Sequence, residues 1–185
     1  MDENIIKKCT VVRHKLHQMA EPSNKEIETK KFLIEFLEKN SCLEIHDEGK
    51  WFYAVYRAKE KGPGIAFRSE IDAVPVKETT DLAYKSLTEG MSHTCGHDGH
   101  CAALLATALH IERTGANCDV YFLFQHAEEI GAGAKECLKM LEENDIAEIY
   151  GCHNAPGIKL GKVIMNKKGL MKKWVRPLFS CINVL

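Results

Sequence analysis

Long apolar runs, C-x-x-C pairs, sequence repeats and a surplus of either charge are all missing from this chain. Each absence excludes something. No apolar stretch approaches the about 18 residues that cross a bilayer, so no membrane partner is expected. The first eight residues, Met1-Asp2-Glu3-Asn4-Ile5-Ile6-Lys7-Lys8, lack the apolar core of a secretory signal, and the expected location is cytoplasmic. With 25 basic against 26 acidic residues, no footprint for nucleic acid is expected. Eight scattered cysteines without a C-x-x-C pair argue against a structural zinc finger, and most should be reduced and buried as small apolar groups.

What is present is a concentration of metal-binding groups. His93-Thr94-Cys95-Gly96-His97-Asp98-Gly99-His100 packs one thiol, three imidazoles and a carboxylate into eight residues, punctuated by two glycines. All these groups bind a borderline-soft divalent cation such as zinc. In Cys95-Gly96-His97 the two ligand types stand at i and i+2, which diverge on a helix, so a turn is expected there. A helix starting near His100 would aim its amides at that turn and help hold Cys95 as a thiolate.

At 185 residues the chain can bury one substantial core. Apolar spacing predicts helices over about 4–19, 25–40, 100–113 and 132–143. Strands are expected over 51–57, 64–68, 119–125 and 147–152, the third apolar almost throughout, as a strand covered on both faces would be. Alternation of this kind predicts a three-layer α/β/α domain with a largely parallel central sheet. Glu70 and Asp72, then Glu128 and Glu129, then His153 each follow the carboxyl end of a strand, where open α/β sheets place their ligands.

Side chains of Glu128 and Glu129 would point opposite ways in an extended segment, leaving one to ligate and the other to take a proton from an activated water. His153, ahead of the bend Asn154-Ala155-Pro156-Gly157, reads as a further ligand. Asp72 can orient a ligand from behind, whereas Glu70 could equally be a surface group paired with Arg68. His14, His17, His46 and His110 have no such context and read as structural.

Together with Arg13-His14-Lys15-Leu16-His17, Arg68-Ser69-Glu70-Ile71-Asp72-Ala73-Val74-Pro75, Phe124-Gln125-His126-Ala127-Glu128-Glu129 and Gly151-Cys152-His153-Asn154-Ala155-Pro156-Gly157, the cluster resembles the M20 metallopeptidase and amidohydrolase family. The likeness is to its N-acyl-amino-acid and hippurate-type branch. It implies two divalent metal ions (zinc, manganese or cobalt), with Cys95, His97, Glu129 and His153 as metal ligands. Glu128 would be the general base and Asp72 the catalytic aspartate near the metals. The implied substrate is a small N-acyl amino acid, and full-length members form homo-oligomers. Glu70 and His126 depart from the Asp and Pro usual in the family. The likeness covers about residues 10–171, so residues 1–171 are expected to form the N-terminal portion of a catalytic domain. It gives way to a divergent tail at 172–185, where members continue into a lid or dimerisation domain and later supply one more histidine. The expectation is therefore a chain truncated relative to the family, weakly active or inactive alone. Weighed beside it are a non-catalytic metal- or partner-binding remnant and a cysteine nucleophile using Cys95 with His97 or His100. A dinucleotide site at Gly131-Ala132-Gly133 is disfavoured because Glu128 and Glu129 would repel a pyrophosphate.

Overall fold

A computed structural model describes residues 1–60, 62–155, 157, 159, 162, 164–165 and 179–183. Helix α1 (Glu3–Gln18) turns Ile5, Cys9, Val12 and Leu16 inward at three- and four-residue spacing. The Asp2 carboxylate caps it by accepting from the Asn4 N–H at 2.7 Å. Then follow α2 (Ile27–Asn40), β1 (Glu44–Asp47), β2 (Phe52–Tyr56), β3 (Gly64–Glu70), α3 (His97–Thr114), β4 (Val120–Gln125), α4 (Gly133–Glu143), β5 (Ile146–Cys152), β6 (Ile164–Met165) and β7 (Phe179–Asn183).

The strands lie in the order β1-β2-β4-β3-β5-β7-β6. The central block β4-β3-β5-β7 is parallel, while β1, β2 and β6 pair antiparallel towards the edges. Period-two alternation divides the sheet's side chains between two faces. Phe52, Ala54, Phe122 and Phe124 pack with α1, α2 and α3, and the Phe52 and Phe124 rings stack at 4.4 Å. Tyr53, Val55, Tyr121 and Leu123 face the other way, against Cys137 and Met140 of α4. Every residue of β4 is buried, as its apolar run predicts for a strand covered on both sides. The three-layer α/β/α reading holds.

Strands β6 and β7 lie outside the expected set, and two further features differ from the sequence reading. Strand β1 (Glu-Ile-His-Asp) was not foreseen, because it carries one apolar residue and is held by pairing with β2 rather than by burial. Helix α3 begins three residues early, at His97. Gly96 adopts φ +94°, a left-handed conformation that lets the chain turn from Cys95 directly into the helix. The cysteine expectation holds for Cys9, Cys101 and Cys137. Cys42 is exposed, and Cys95, Cys118 and Cys152 are half-buried. Of the tail at 172–185, residues 172–178 and 184–185 lie outside the described residues, as does the proposed boundary at 171, while 179–183 form β7.

The parallel block has one functional consequence. Glu70 lies opposite Gln125 and Arg68 opposite Gly151, so the carboxyl ends of β3, β4 and β5 share one sheet edge. The segments at 70–72, 126–129 and 153–154 leave from that edge.

Candidate metal centre

His97 is the hub. Its ring is fully buried, with Nδ1 2.8 Å from the Asp72 carbonyl oxygen and 3.3 Å from Asp72 Oδ1. That leaves Nε2 facing the cluster, buried and without a hydrogen-bond partner among the described residues. Glu129 Oε1 lies 3.5 Å from Nε2, and Glu128 Oε2 lies 3.7 Å away. Cys95 Sγ is 3.5 Å from His153 Nε2, and the His153 ring stands edge-on to His97 at 5.7 Å. Ligand atoms of Cys95, His97 and His153 all lie within 4.8 Å of one another, as do those of His97, Glu128 and Glu129. The three distant stretches therefore converge.

The local backbone explains the convergence. A Cβ on Gly96 would come within 2.9 Å of the Asn154 amide, so glycine lets the Cys95 turn approach the His153 loop. After β4 the chain does not stay extended. Ala127 takes φ +47°, its N–H donates to Glu26 Oε1 at 2.8 Å, and its carbonyl accepts from Ala132 and Gly133, each at 3.1 Å. This turn aims both Glu128 and Glu129 at His97 and corrects the expectation that they point opposite ways. Their roles must then be divided by something other than strand geometry. Asp72 ties the pieces together, since its Oδ2 accepts from the Glu129 N–H at 3.0 Å and the Ser23 hydroxyl at 2.7 Å.

The electrostatics favour a cation. Burial alone would depress the His97 pKa, but Asp72 and Glu70 raise it to about 9. Burial, with Glu129, Glu128 and Glu70 nearby, pushes the Cys95 thiol up to about 12. The helix start thus does not by itself hold Cys95 as a thiolate, because burial and then the surrounding carboxylates outweigh the α3 dipole. Burial and Glu70 also raise the Glu128 carboxyl. A divalent cation here would displace the protons from His97 and Cys95 and relieve the crowding of acids. The orphaned His97 Nε2 and the mixed sulfur, nitrogen and oxygen donor set fit such an ion.

Two residues whose roles the sequence leaves open contribute to the cluster. Glu70 is not a surface group. It is fully buried, paired with Arg68, and accepts from His100 Nδ1 at 3.1 Å. Burial would raise its carboxyl, but Arg68, His100 and His97 hold it well below the usual carboxylate range. The missed signal is that β3 runs two residues past Arg68, placing Glu70 inside the sheet. His100 sits three residues after His97, on the same face of α3. Its Nε2 meets Asn154, 2.9 Å from Oδ1 and 3.0 Å from the backbone nitrogen, which links α3 to the His153 loop. The bend after His153 includes Pro156, which lies outside the described residues.

Comparison with known proteins matches residues 66–168 to the model of peptidase family M20/M25/M40. The chain belongs to this family. It is 36% identical over 164 residues to an N-acetylcysteine deacetylase of Bacillus subtilis (strain 168), a match covering 86% of this chain and 43% of the relative. An N-acetyldiaminopimelate deacetylase of Listeria innocua is 34% identical, with 86% and 44% covered. Among solved structures, a dinuclear metal-binding peptidase of the M20 family from Bacillus subtilis superposes with a TM-score of 0.82. It is 36% identical, with 88% of this chain and 47% of that chain covered. This member of the family thus spans less than half the length of the curated relatives it matches.

Proposed function

We propose that this M20 chain carries the metal-binding core of an amidohydrolase that cleaves the amide of N-acyl amino acids. The observation that carries the proposal is the buried His97 Nε2, without a hydrogen-bond partner among the described residues and surrounded by Cys95, Glu128, Glu129 and His153. In this reading Cys95, His97, Glu129 and His153 hold a pair of divalent ions (zinc, manganese or cobalt). When bound, the metals would supply Lewis acidity, which lowers the pKa of a water towards about 7. Asp72 fixes the His97 ring through Nδ1 and the Glu129 backbone through its N–H, so both ligands keep their aim. Glu128, beside His97 but tied by no hydrogen bond to Asp72, takes the proton from the attacking water at its carboxylate. It then returns the proton to the leaving amine. The substrate class follows from the deacetylase relatives, which are named for N-acetyl amino acids.

The test pairs metal analysis of the purified chain with hydrolysis of N-acetyl and N-benzoyl amino acids in zinc, manganese or cobalt. Turnover that a chelator removes and metal restores supports the proposal and excludes Cys95 as a nucleophile. Bound metal with no turnover supports the second reading, a metal-binding chain that does not hydrolyse alone. That reading draws on the 43% coverage of the deacetylase relative. No bound metal sinks both.

A further inference from the structure

Arg13-His14-Lys15-Leu16-His17 has no part in the proposed chemistry, yet α1 carries it to the back of the metal cluster. His17 is buried, with Nδ1 2.9 Å from Asp98 Oδ2 and Nε2 3.2 Å from Glu78 Oε1. Arg13 Nε donates to the same Asp98 oxygen at 3.2 Å. Asp98 is itself buried and directly follows His97 in the first turn of α3. A Cβ on Gly99 would sit 3.6 Å from Arg13 Nε, so the Arg13 side chain lies within van der Waals reach of that turn.

The second arm reaches Cys95. Glu78 sits in the loop that runs from Val74 to Ser92, closed at its base by Val74 N–H to Ser92 O and Ser92 N–H to Val74 O, both 3.1 Å. Glu78 also accepts from the Thr80 hydroxyl and, at 2.8 Å, from the Ser86 N–H. The Leu87 N–H donates to the Gln18 carbonyl at 3.0 Å, a second tie between this loop and the end of α1. Three residues beyond Ser92 the chain presents Cys95. One imidazole on α1 therefore grips both the helix turn that carries His97 and the loop that delivers Cys95.

We infer that His17, with Arg13, is a positioning residue for the metal centre, holding His97 and Cys95 at their mutual spacing through Asp98 and Glu78. The inference rests on the metal reading above. Burying a carboxylate beside a ligand is costly unless it is paired. Asp98 is paired from α1, outside the metal cluster, so its partners restrain the turn without occupying a ligand position. Groups of this kind typically change metal affinity by about 10- to 100-fold when removed.

The experiment measures zinc affinity of the whole chain by competition with a chromophoric chelator, alongside thermal melts of the metal-free protein. His17→Leu should weaken zinc binding by about 10- to 100-fold, and His17→Asn, which keeps a donor near the Nδ1 position, should recover most of the loss. Arg13 is half-exposed, so Arg13→Gln should fold even where His17→Leu does not, and it too should weaken zinc. Variants that melt earlier but bind zinc as tightly as the parent would reduce the network to a helix-packing contact and overturn the inference. A parent chain that takes up no zinc would instead defeat the metal reading itself.

Discussion

Glu128 and Glu129 approach the same His97 nitrogen, so what separates them is their tether rather than their distance. The Glu129 N–H is fastened to Asp72, which also holds His97, whereas Glu128 has only burial and charge around it. A ligand profits from being fixed, and a proton carrier from a carboxyl raised towards neutrality. Glu128→Gln should therefore leave metal content intact while lowering turnover by about 10²- to 10⁴-fold, and Glu129→Gln should lose metal. Metal analysis beside a hydrolysis assay reads both, and loss of metal with Glu128→Gln would reverse the assignment. At this scale sequence showed the donors because their chemistry is explicit: thiol, imidazole and carboxylate at strand ends. It left the roles of Glu70 and His100 undecided. A carboxylate next to an arginine looks like a surface pair until the strand is known to continue through it, and His100 gains meaning only once α3 starts at His97.

At the scale of elements, apolar periodicity made helices and buried strands legible to within a few residues. Turns held by contacts distant in sequence stayed hidden. The 126–133 turn is the clearest instance, since Glu26 from the start of α2 holds Ala127 in a left-handed conformation 101 residues away. Gly133 closes that turn, and a Cβ there would fall 1.7 Å from the His126 carbonyl oxygen. Backbone cannot yield as a side-chain tip does, so Gly133→Ala should cost about 3 kcal/mol, at the upper end of overpacking effects. A lowered urea midpoint with unchanged slope would display it, and an unshifted midpoint would mean the turn is looser than described. The 74–92 loop makes a pH prediction. Burial would raise the Glu78 carboxyl, but Thr80, the Ser86 N–H and His17 lower it to about 2 from 4.5. The stability it contributes is complete above pH 4.5 and drains away as pH falls towards 2. Glu78→Gln should flatten the dependence of Tm on pH across that window, and parallel curves for variant and parent would contradict the bonds from Thr80, Ser86 and His17 that hold the carboxylate.

For the whole molecule, the layer architecture could be read from alternating elements, but the strand order could not. Strands β2 and β3 follow one another in sequence yet are separated by β4, which pairs antiparallel with one and parallel with the other. Only long-range pairing decides this, and it places three strand ends around one cluster. A cluster built from α3, two loops and a turn exists only in the folded chain, so its ion should stabilise folding through linkage. Zinc held at about 100 times its Kd should add about 2.7 kcal/mol, or about 5–10 °C in Tm for a chain of this size. Magnesium prefers oxygen donors in octahedral geometry and should do far less at equal concentration. Calorimetry with zinc, magnesium and a chelator distinguishes the cases. Equal shifts from the two cations would mean that exposed carboxylates, not the Cys95, His97 and His153 atoms, bind the metal. No shift from zinc would mean that these side chains meet in the fold without forming an ion site.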